Sequence, residues 1–406
     1  MRPVGRKVNQ ALQAGVDKAN FGLYFNKWVE LNDRGRDRFK PKHKSKPEHF
    51  IDSYGKCCCR TSQLKELLEK RQLQQSRFCE VMSRNGWNLI VITATLKTPF
   101  VTGLGMTHPT ETGIVLDWTL GVPYVPATSF KGVFRFSFIL SDAESAPERV
   151  ENGVWEAGDD FFALFGRTAE KGADDGLRGG IMVLDAYPLT IPKLDLDILN
   201  PHYPDYYRNA KRAPTEDQNP VPVKFLVVKP NVEFVFRILI SQELSKNTLS
   251  KLKNTLAKAL ERDGLGAKTA LGYGKFQIVN KGEPQSILKM KEKEEAARKE
   301  AEEKAKLEAE LASLPGDLAW LKRKEKENKW ESDNGAFLND VESFFEEFPE
   351  PGAEAVELLT EWLDKKWKGI IANPDAVKGK KQKPKFKQRP RQLAKKINEL
   401  VNTKIE

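Results

Sequence analysis

Cysteine is scarce in this chain of 406 residues: there are four, and three of them, Cys57, Cys58 and Cys59, are consecutive, with Cys79 apart. Adjacent side chains diverge, so a run of three cannot close a tetrahedral metal site, and no C-x-x-C pair or spaced histidine set stands near to complete one. Zinc modules and disulfide scaffolds are thereby excluded, and the thiols are expected to be free, as in a cytosolic protein. Long apolar runs are missing as well. No stretch is apolar enough to span a bilayer and residues 1–10 carry no apolar signal core, so the expectation is a cytoplasmic protein with no membrane partner. The string G-K-[ST] is absent too, which rules out a nucleoside-triphosphate P-loop.

What is abundant is positive charge. Lys and Arg total 67 against 57 Asp and Glu, a net charge of +10, and such a surface attracts phosphate and releases its counterions. Ribosomal contacts or anionic lipid would satisfy the same charge. The excess is uneven: residues 1–60 are basic, and residues 378–396 hold Lys and Arg without one acid, where a solvated tail is the plain alternative. The chain is too long for one ordinary core, which predicts two or three domains.

Residues 1–86 read as a basic, mainly helical segment with a Lys-rich break over residues 39–47. Alternation over residues 88–97, with Ile90, Ile92, Ala94 and Leu96 on one side, then marks a half-buried strand. A helix follows, capped by Thr128 or Ser129, with Val133, Phe136 and Leu140 at helical spacing, and residues 180–187 form a second strand. Residues 185–231, rich in Pro, Asn and Asp, are too long for a turn and read as a functional insertion. Val232, Phe234, Phe236, Ile238 and Ile240 alternate in a third strand. Leu249, Leu252, Leu256 and Leu260 stripe a second helix ending at Gly264, and residues 275–279 add a closing strand. The order is βαββαβ, that of the ferredoxin-like (RRM-like) α+β fold, a common RNA platform that also hosts unrelated functions. This domain is set at residues 87–282. Beyond it, residues 283–316 read as a charged solvated helix without an a/d seam, residues 317–375 as a small helical module that buries little on its own, and residues 376–406 as a Lys-rich linker and terminal helix.

Two strings carry chemistry. The first, G-L-G-A-K-T-A-L-G-Y-G over residues 264–274, lies between the second helix and the last strand. Its glycines, Gly264, Gly266, Gly272 and Gly274, let a backbone approach phosphate or sugar, and consecutive amides can form an anion nest. Lys268 adds a cation, Thr269 a hydroxyl and Tyr273 a stacking face. The plain alternative is a corner that needs glycine only to turn. The second string, residues 121–136, ends in the first helix, where Thr128, Ser129 and the helix N-terminus can face phosphate while Lys131 and Arg135 share a helix face. Ordinary capping and surface charge explain it nearly as well.

Together the strings make residues 87–279 resemble the RAMP superfamily of CRISPR-associated proteins, whose hallmark is a C-terminal glycine-rich loop. Within it the chain is most similar to the sixth subunits of the type III-B Cmr effector complexes. Further matching pieces are Thr102-Gly103-Leu104-Gly105, Pro123-Tyr124-Val125-Pro126 leading into Ser129-Phe130-Lys131-Gly132, Leu184-Asp185-Ala186-Tyr187-Pro188, and Asn200-Pro201-His202-Tyr203. Ala127-Thr128-Ser129 stands where the family more often has Gly-Ser, and the residues after 282 lie outside the resemblance. The resemblance implies a non-catalytic structural subunit that binds guide RNA near its 3′ end and caps the RAMP backbone in antiviral defence, with the insertion as a thumb-like element. The implied partners are guide and target RNA, other Cmr-type RAMP backbone subunits and the small helical subunit. Expected RNA contacts are Ser129, Lys131, Arg135, Gly264, Gly266, Lys268, Thr269, Gly272, Tyr273, Gly274, His202 and Tyr203, with no cofactor or metal.

Some superfamily members are metal-independent ribonucleases that process guide precursors, so catalysis has its own candidates. His108 and His202 stand in loops without sequence-adjacent partners, and Asp117 and Asp185, which could bind Mg²⁺, are isolated. A general RNA-binding scaffold, using the charged helix and the Lys-rich tail, is the remaining alternative.

Overall fold

The computed structural model describes residues 6–14, 19–32, 40, 47–59, 62–151, 153–169, 176–208, 213–216, 220, 222–241, 245–378 and 383–403. The chain divides into two units, Met1–Lys291 and Glu292–Glu406. In the first, four helices, α1 (Arg6–Ala14), α2 (Phe21–Lys27), α3 (Glu48–Cys59) and α4 (Ser62–Arg84), lead into strand β1 (Trp87–Leu96). Next come α5 (Ala127–Ser145), a hairpin of β2 (Val150–Glu151) and β3 (Val154–Trp155), and α6 (Asp159–Phe165). Strands β4 (Ile181–Val183), β5 (Tyr187–Pro188) and β6 (Leu194–Leu199), α7 (Pro204–Arg208), then β7 (Val223–Val228) and β8 (Glu233–Ser241) follow. The unit finishes with α8 (Lys246–Lys258), β9 (Phe276–Lys281) and the first residues of α9 (Gln285–Ala312).

Strand β1 is one of the two inner strands of the main sheet. It pairs antiparallel with β8 from Trp87↔Ser241 to Thr95↔Glu233, and on its other side with β9 from Ile92↔Lys281 to Leu96↔Phe276, across a bulge at Thr93/Ala94. Strands β4 and β5 both lie on the far edge of β8, so the main path reads β4-β8-β1-β9. Ile92, Ala94 and Leu96 share a buried face with Phe234, Phe236, Ile238 and Ile240, and the core there includes Leu252, Leu256 and Leu260 of the second helix and its continuation. From α5 the core takes Phe130, Phe134 and Phe138; of the Val133, Phe136 and Leu140 stripe read from periodicity, Val133 packs partly buried against it, while Phe136 is 55% exposed. The reason is a set of ring partners that spacing cannot reveal, Phe236 at 5.0 Å from Phe130 and Phe165 at 5.4 Å from Phe134.

Residues before β1 share that core. Phe21, Tyr24, Phe25, Phe50 and Tyr54 are buried in the same cluster as the sheet residues, so the segment set apart by composition is a layer of the first unit. Of the Lys-rich break, only Lys40 and Pro47 are among the described residues.

The opposite face of the sheet is closed too. Val91, Val235 and Ile287 form a small apolar cluster there. Beside it Arg237 of β8 is fully buried, its guanidinium reaching both Glu283 carboxylate oxygens at 3.0 and 3.1 Å and the amide oxygens of Gln72 and Gln75 on α4 at 2.9 Å. Gln72 in turn donates to the carbonyls of Tyr187 and Pro188, Gln75 to that of Asp185, and Ser76 to Glu283. A buried charge is tolerated when paired and hydrogen-bonded in this way. Cys79, also buried, has its thiol pushed up to about 11 by burial, so it stays protonated.

In the second unit the residues Glu292–Lys306 of α9 are exposed throughout. Helices α10 (Gly316–Glu327), α11 (Asn334–Glu347), α12 (Ala353–Lys366) and α13 (Gln388–Thr403) follow, with strands β10 (Val377–Lys378) and β11 (Lys383–Pro384) paired before the last helix. This module does not bury little: Leu321, Trp330, Phe337, Val341, Leu359 and Leu363 are fully enclosed, and the Trp330 indole donates to Asp340 at 2.6 Å. The terminal helix, which composition groups with the Lys-rich linker over residues 376–406, packs into this module: Leu393, Ala394 and Ile397 of α13 complete the same core, which the flanking lysines hide from a composition reading. Residues 379–382 of the Lys-rich stretch lie outside the described residues.

Candidate functional site

The glycine-rich loop is seated by its main chain. Gly274 N donates to Pro99 O and Ala267 N to Val101 O, both at 2.8 Å, while Leu265 N reaches Gly274 O at 2.9 Å and Lys275 N reaches Thr98 Oγ1 at 2.9 Å. Within the loop Leu271 N donates to Lys268 O and Gly272 N to Thr269 O. The N–H groups of Ala267, Gly274 and Lys275 thus fasten the loop to the chain just beyond β1, those of Leu265, Leu271 and Gly272 fasten it to itself, and among the described residues no hydrogen bond takes the consecutive N–H groups of Lys268, Thr269 and Ala270, the only stretch left for an anion nest. Two glycines are required by this seating. Gly266 (φ +89°) and Gly274 (φ +67°) would drive a Cβ into the carbonyls of Val101 and Leu265.

Lys268 adopts a left-handed backbone (φ 60°) without being glycine, a conformation that costs about 1 kcal/mol or more. Its ammonium lies 4.7 Å from the ring centroid of Phe225 and 5.4 Å from that of Tyr273. The Tyr273 hydroxyl donates to the Asp197 carboxylate, and burial together with that bond pushes the phenol up to about 12, so it remains a donor. Phe225 and Asp197 belong to the β6–β7 hairpin, in register from Leu194↔Val228 to Leu199↔Val223. Sequence reasoning missed both residues. The signal was there in the alternation L-D-L-D-I-L over residues 194–199, passed over inside a stretch read only as insertion. Leu271 stands at the loop tip, 72% exposed. The result is a fixed cation beside aromatic rings, able to meet a phosphate and an adjoining base.

The second string is spent otherwise. Helix α5 begins at Ala127, one residue before the expected cap, because Asp185 Oδ1 accepts from Ala127 N at 2.7 Å; neither Thr128 nor Ser129 caps it. Lys131 donates to Ile181 O at 3.1 Å, and burial, with repulsion from Arg178, lowers its pKa. Arg135 is exposed, its guanidinium 5.1 Å from the Phe161 ring centroid. Ser129 is half-buried. Among the described residues no hydrogen bond, ion pair or ring contact joins Ser129, Lys131 or Arg135 to the glycine-rich loop.

Three of the catalytic and metal candidates, His108, Asp117 and Asp185, have structural employment, Asp185 at the start of α5. His108 is buried, stacked 4.1 Å from Phe25, with Nε2 at 2.8 Å from Phe25 O and Nδ1 at 2.5 Å from Thr110 Oγ1. Burial lowers its pKa, only partly opposed by the Phe25 carbonyl. Asp117 binds Thr119 N and Oγ1, Leu120 N and the Tyr187 hydroxyl. Burial would raise that carboxyl, but these hydrogen bonds outweigh it and hold its pKa below the ordinary value. His202 is exposed, 6.5 Å ring to ring from half-buried Tyr203, just before α7. Among the described residues no group of three or more His, Cys, Asp or Glu could hold a metal ion, and no helix is long and apolar enough to cross a membrane.

Comparison with known proteins gives a match to the family model described as the RAMP superfamily over residues 93–277. The CRISPR system Cmr subunit Cmr6 of Pyrococcus furiosus is 31% identical over 244 residues, covering 47% of this chain and 68% of that protein. The corresponding Cmr6 of Saccharolobus solfataricus is 28% identical over 172 residues, 41% of this chain and 49% of that protein. Among solved structures, a chain of the type III-B Cmr-beta complex bound to cognate target RNA is similar at 20% identity and TM-score 0.43, covering 63% of this chain and 78% of that one. Crystalline Cmr6 from Pyrococcus furiosus is similar at 24% identity and TM-score 0.29, covering 48% and 98%.

Proposed function

The chain belongs to the RAMP superfamily, and on that premise we propose that it is a non-catalytic structural subunit of a type III-B CRISPR effector complex, binding guide RNA near its 3′ end and capping the RAMP backbone. The observation that carries this reading is the kinship with Cmr6 proteins, joined to a glycine-rich loop that lies wholly inside the family match at residues 93–277. The sheet order β4-β8-β1-β9, with α5 and α8 as connections, supports reading the core as ferredoxin-like. The β6–β7 hairpin, resting against the loop through Phe225 and Asp197, is the natural thumb-like element. Guide and target RNA, together with other Cmr subunits, are the partners this assigns. Lys268, Tyr273 and Arg135 would meet the RNA; His202 and Tyr203, on the insertion, would add a ring contact.

The test is RNA binding by the purified full chain across a salt series. Lys268→Ala combined with Arg135→Ala should weaken binding of a guide-length RNA, lower the salt slope, and leave the unfolding transition in place. An unchanged isotherm and slope would remove these residues from the interface. The same preparation should leave precursor and target RNA uncut; cleavage abolished by His202→Ala would instead favour the ribonuclease reading.

A further inference from the structure

A second binding site lies on the edge of β1, away from the glycine-rich loop. Strand β9 stops at Lys281, opposite Ile92, while β1 continues back to Trp87. The last bond on that side runs from Gly282 N to Val91 O, at 3.0 Å. Successive strand residues direct their amides to opposite sides, so the N–H and C=O of Leu89 and the N–H of Val91 point past the end of β9. Among the described residues no strand lies beside them. A slot of about 530 Å³ opens there, in the size range of ligand pockets. Its floor is the edge of β1 from Leu89 to Ile92; Leu256 and Ala257 of α8 line it, as does the turn at Gly282 and Glu283.

The rim carries Lys253 and Lys281, both exposed and neither in an ion pair among the described residues. Glu283 does not offset them, since its carboxylate is held by Arg237 and Ser76. Orphaned strand amides beside an apolar wall and two cations call for one kind of occupant. We propose that this slot binds an extended, acidic peptide segment of a protein partner, which adds to the sheet as a strand in line with β9, buries alternate apolar side chains against α8, and sets a carboxylate between Lys253 and Lys281. RNA is disfavoured, because the lining is apolar and offers phosphate only the two rim charges. A helix is disfavoured as well, because its own backbone groups are already used.

The test pans a display library of random eight-residue peptides on the full chain. A recovered peptide is then synthesised with N-methyl groups on alternate amides in each of the two registers, and hydrogen exchange is followed across residues 87–92. Recovered peptides should alternate apolar residues and contain Asp or Glu, and one N-methyl register alone should abolish binding. Exchange at Leu89 and Val91 should slow, and Lys253→Glu with Lys281→Glu should weaken binding about tenfold. These are exposed side chains whose replacement leaves the core intact. Binding that tolerates both N-methyl registers or ignores the charge reversal would overturn the proposal, as would peptides with helical spacing. Slowing of the same amides by single-stranded RNA, or by raising the concentration of the chain alone, would hand the slot to nucleic acid or to a second copy.

Discussion

The glycine-rich loop and the amino end of α5 carry similar chemical equipment, a hydroxyl and a basic side chain beside small residues, and the fold employs it in opposite ways. In the loop the main chain turns inward, to Pro99, Val101 and the loop's own carbonyls, and Lys268 is left on the Phe225 and Tyr273 rings. At α5 the first amide is taken by Asp185 and the Lys131 ammonium by Ile181 O. Main-chain fastening keeps side chains for a ligand. Side-chain fastening consumes them.

The largest test of this contrast lies in the loop backbone. Gly274→Ala combines a left-handed φ with a collision at Leu265 O, and should cost about 3 kcal/mol in chemical denaturation. Gly272→Ala has the same kind of φ but nothing within 4 Å, and should cost only about 1 kcal/mol. Equal losses would mean the loop is not seated by its main chain. Next, Lys268→Ala should lower RNA affinity several-fold and reduce the salt slope by about 1, whereas Lys131→Ala should leave both unchanged. Matching losses would erase the distinction between the two strings. Asp185→Ala removes the acceptor at the start of α5 and should cost about 1 kcal/mol of stability, with RNA affinity unaltered. A fall in affinity would make that helix end part of the interface.

The smallest expected effect is a pH dependence. His108 is held neutral by burial, so its native pKa lies below that of the unfolded chain. The unfolded state then binds more protons near and below pH of about 6.5, and stability is complete above that point and declines as pH falls. His108→Gln should show a shallower decline in unfolding free energy from pH of about 7 to 5. An unchanged slope would place the histidine in water.

Most of the strand order was legible because alternation in β1 and β8 is strong: the faces read for Ile92, Ala94 and Leu96 and for Phe234, Phe236 and Ile238 are buried, but alternation did not reveal that the other face is buried too, at Thr93, Val235, Arg237 and Leu239. The buried stripe of α5 was not legible, since two apolar stripes exist and only the phenylalanines of β8 and α6 choose between them. Composition likewise separated residues 1–86 and the tail from their cores. Basic side chains dominate a count while Phe21, Tyr54 or Ile397 does the packing. At the site, Lys268 and Tyr273 were readable from the motif, but their neighbours Phe225 and Asp197 are distant in sequence and meet the loop only in space. The same holds for Arg237, whose partners come from α4 and from the turn after β9.

The placement of β1 also sets a schedule for biosynthesis. It is an inner strand of its sheet, yet its neighbours β8 and β9 begin only at Glu233 and Phe276. A nascent chain carries Ile90 to Leu96 without either flanking strand until those segments have been translated, a wait of roughly 10 to 40 s at ordinary elongation rates. An apolar strand with two open edges is the species most prone to pair with a neighbour on the same message. Chaperone occupancy on ribosomes should therefore begin as residues 87–96 emerge and end once Glu283 can close over Arg237.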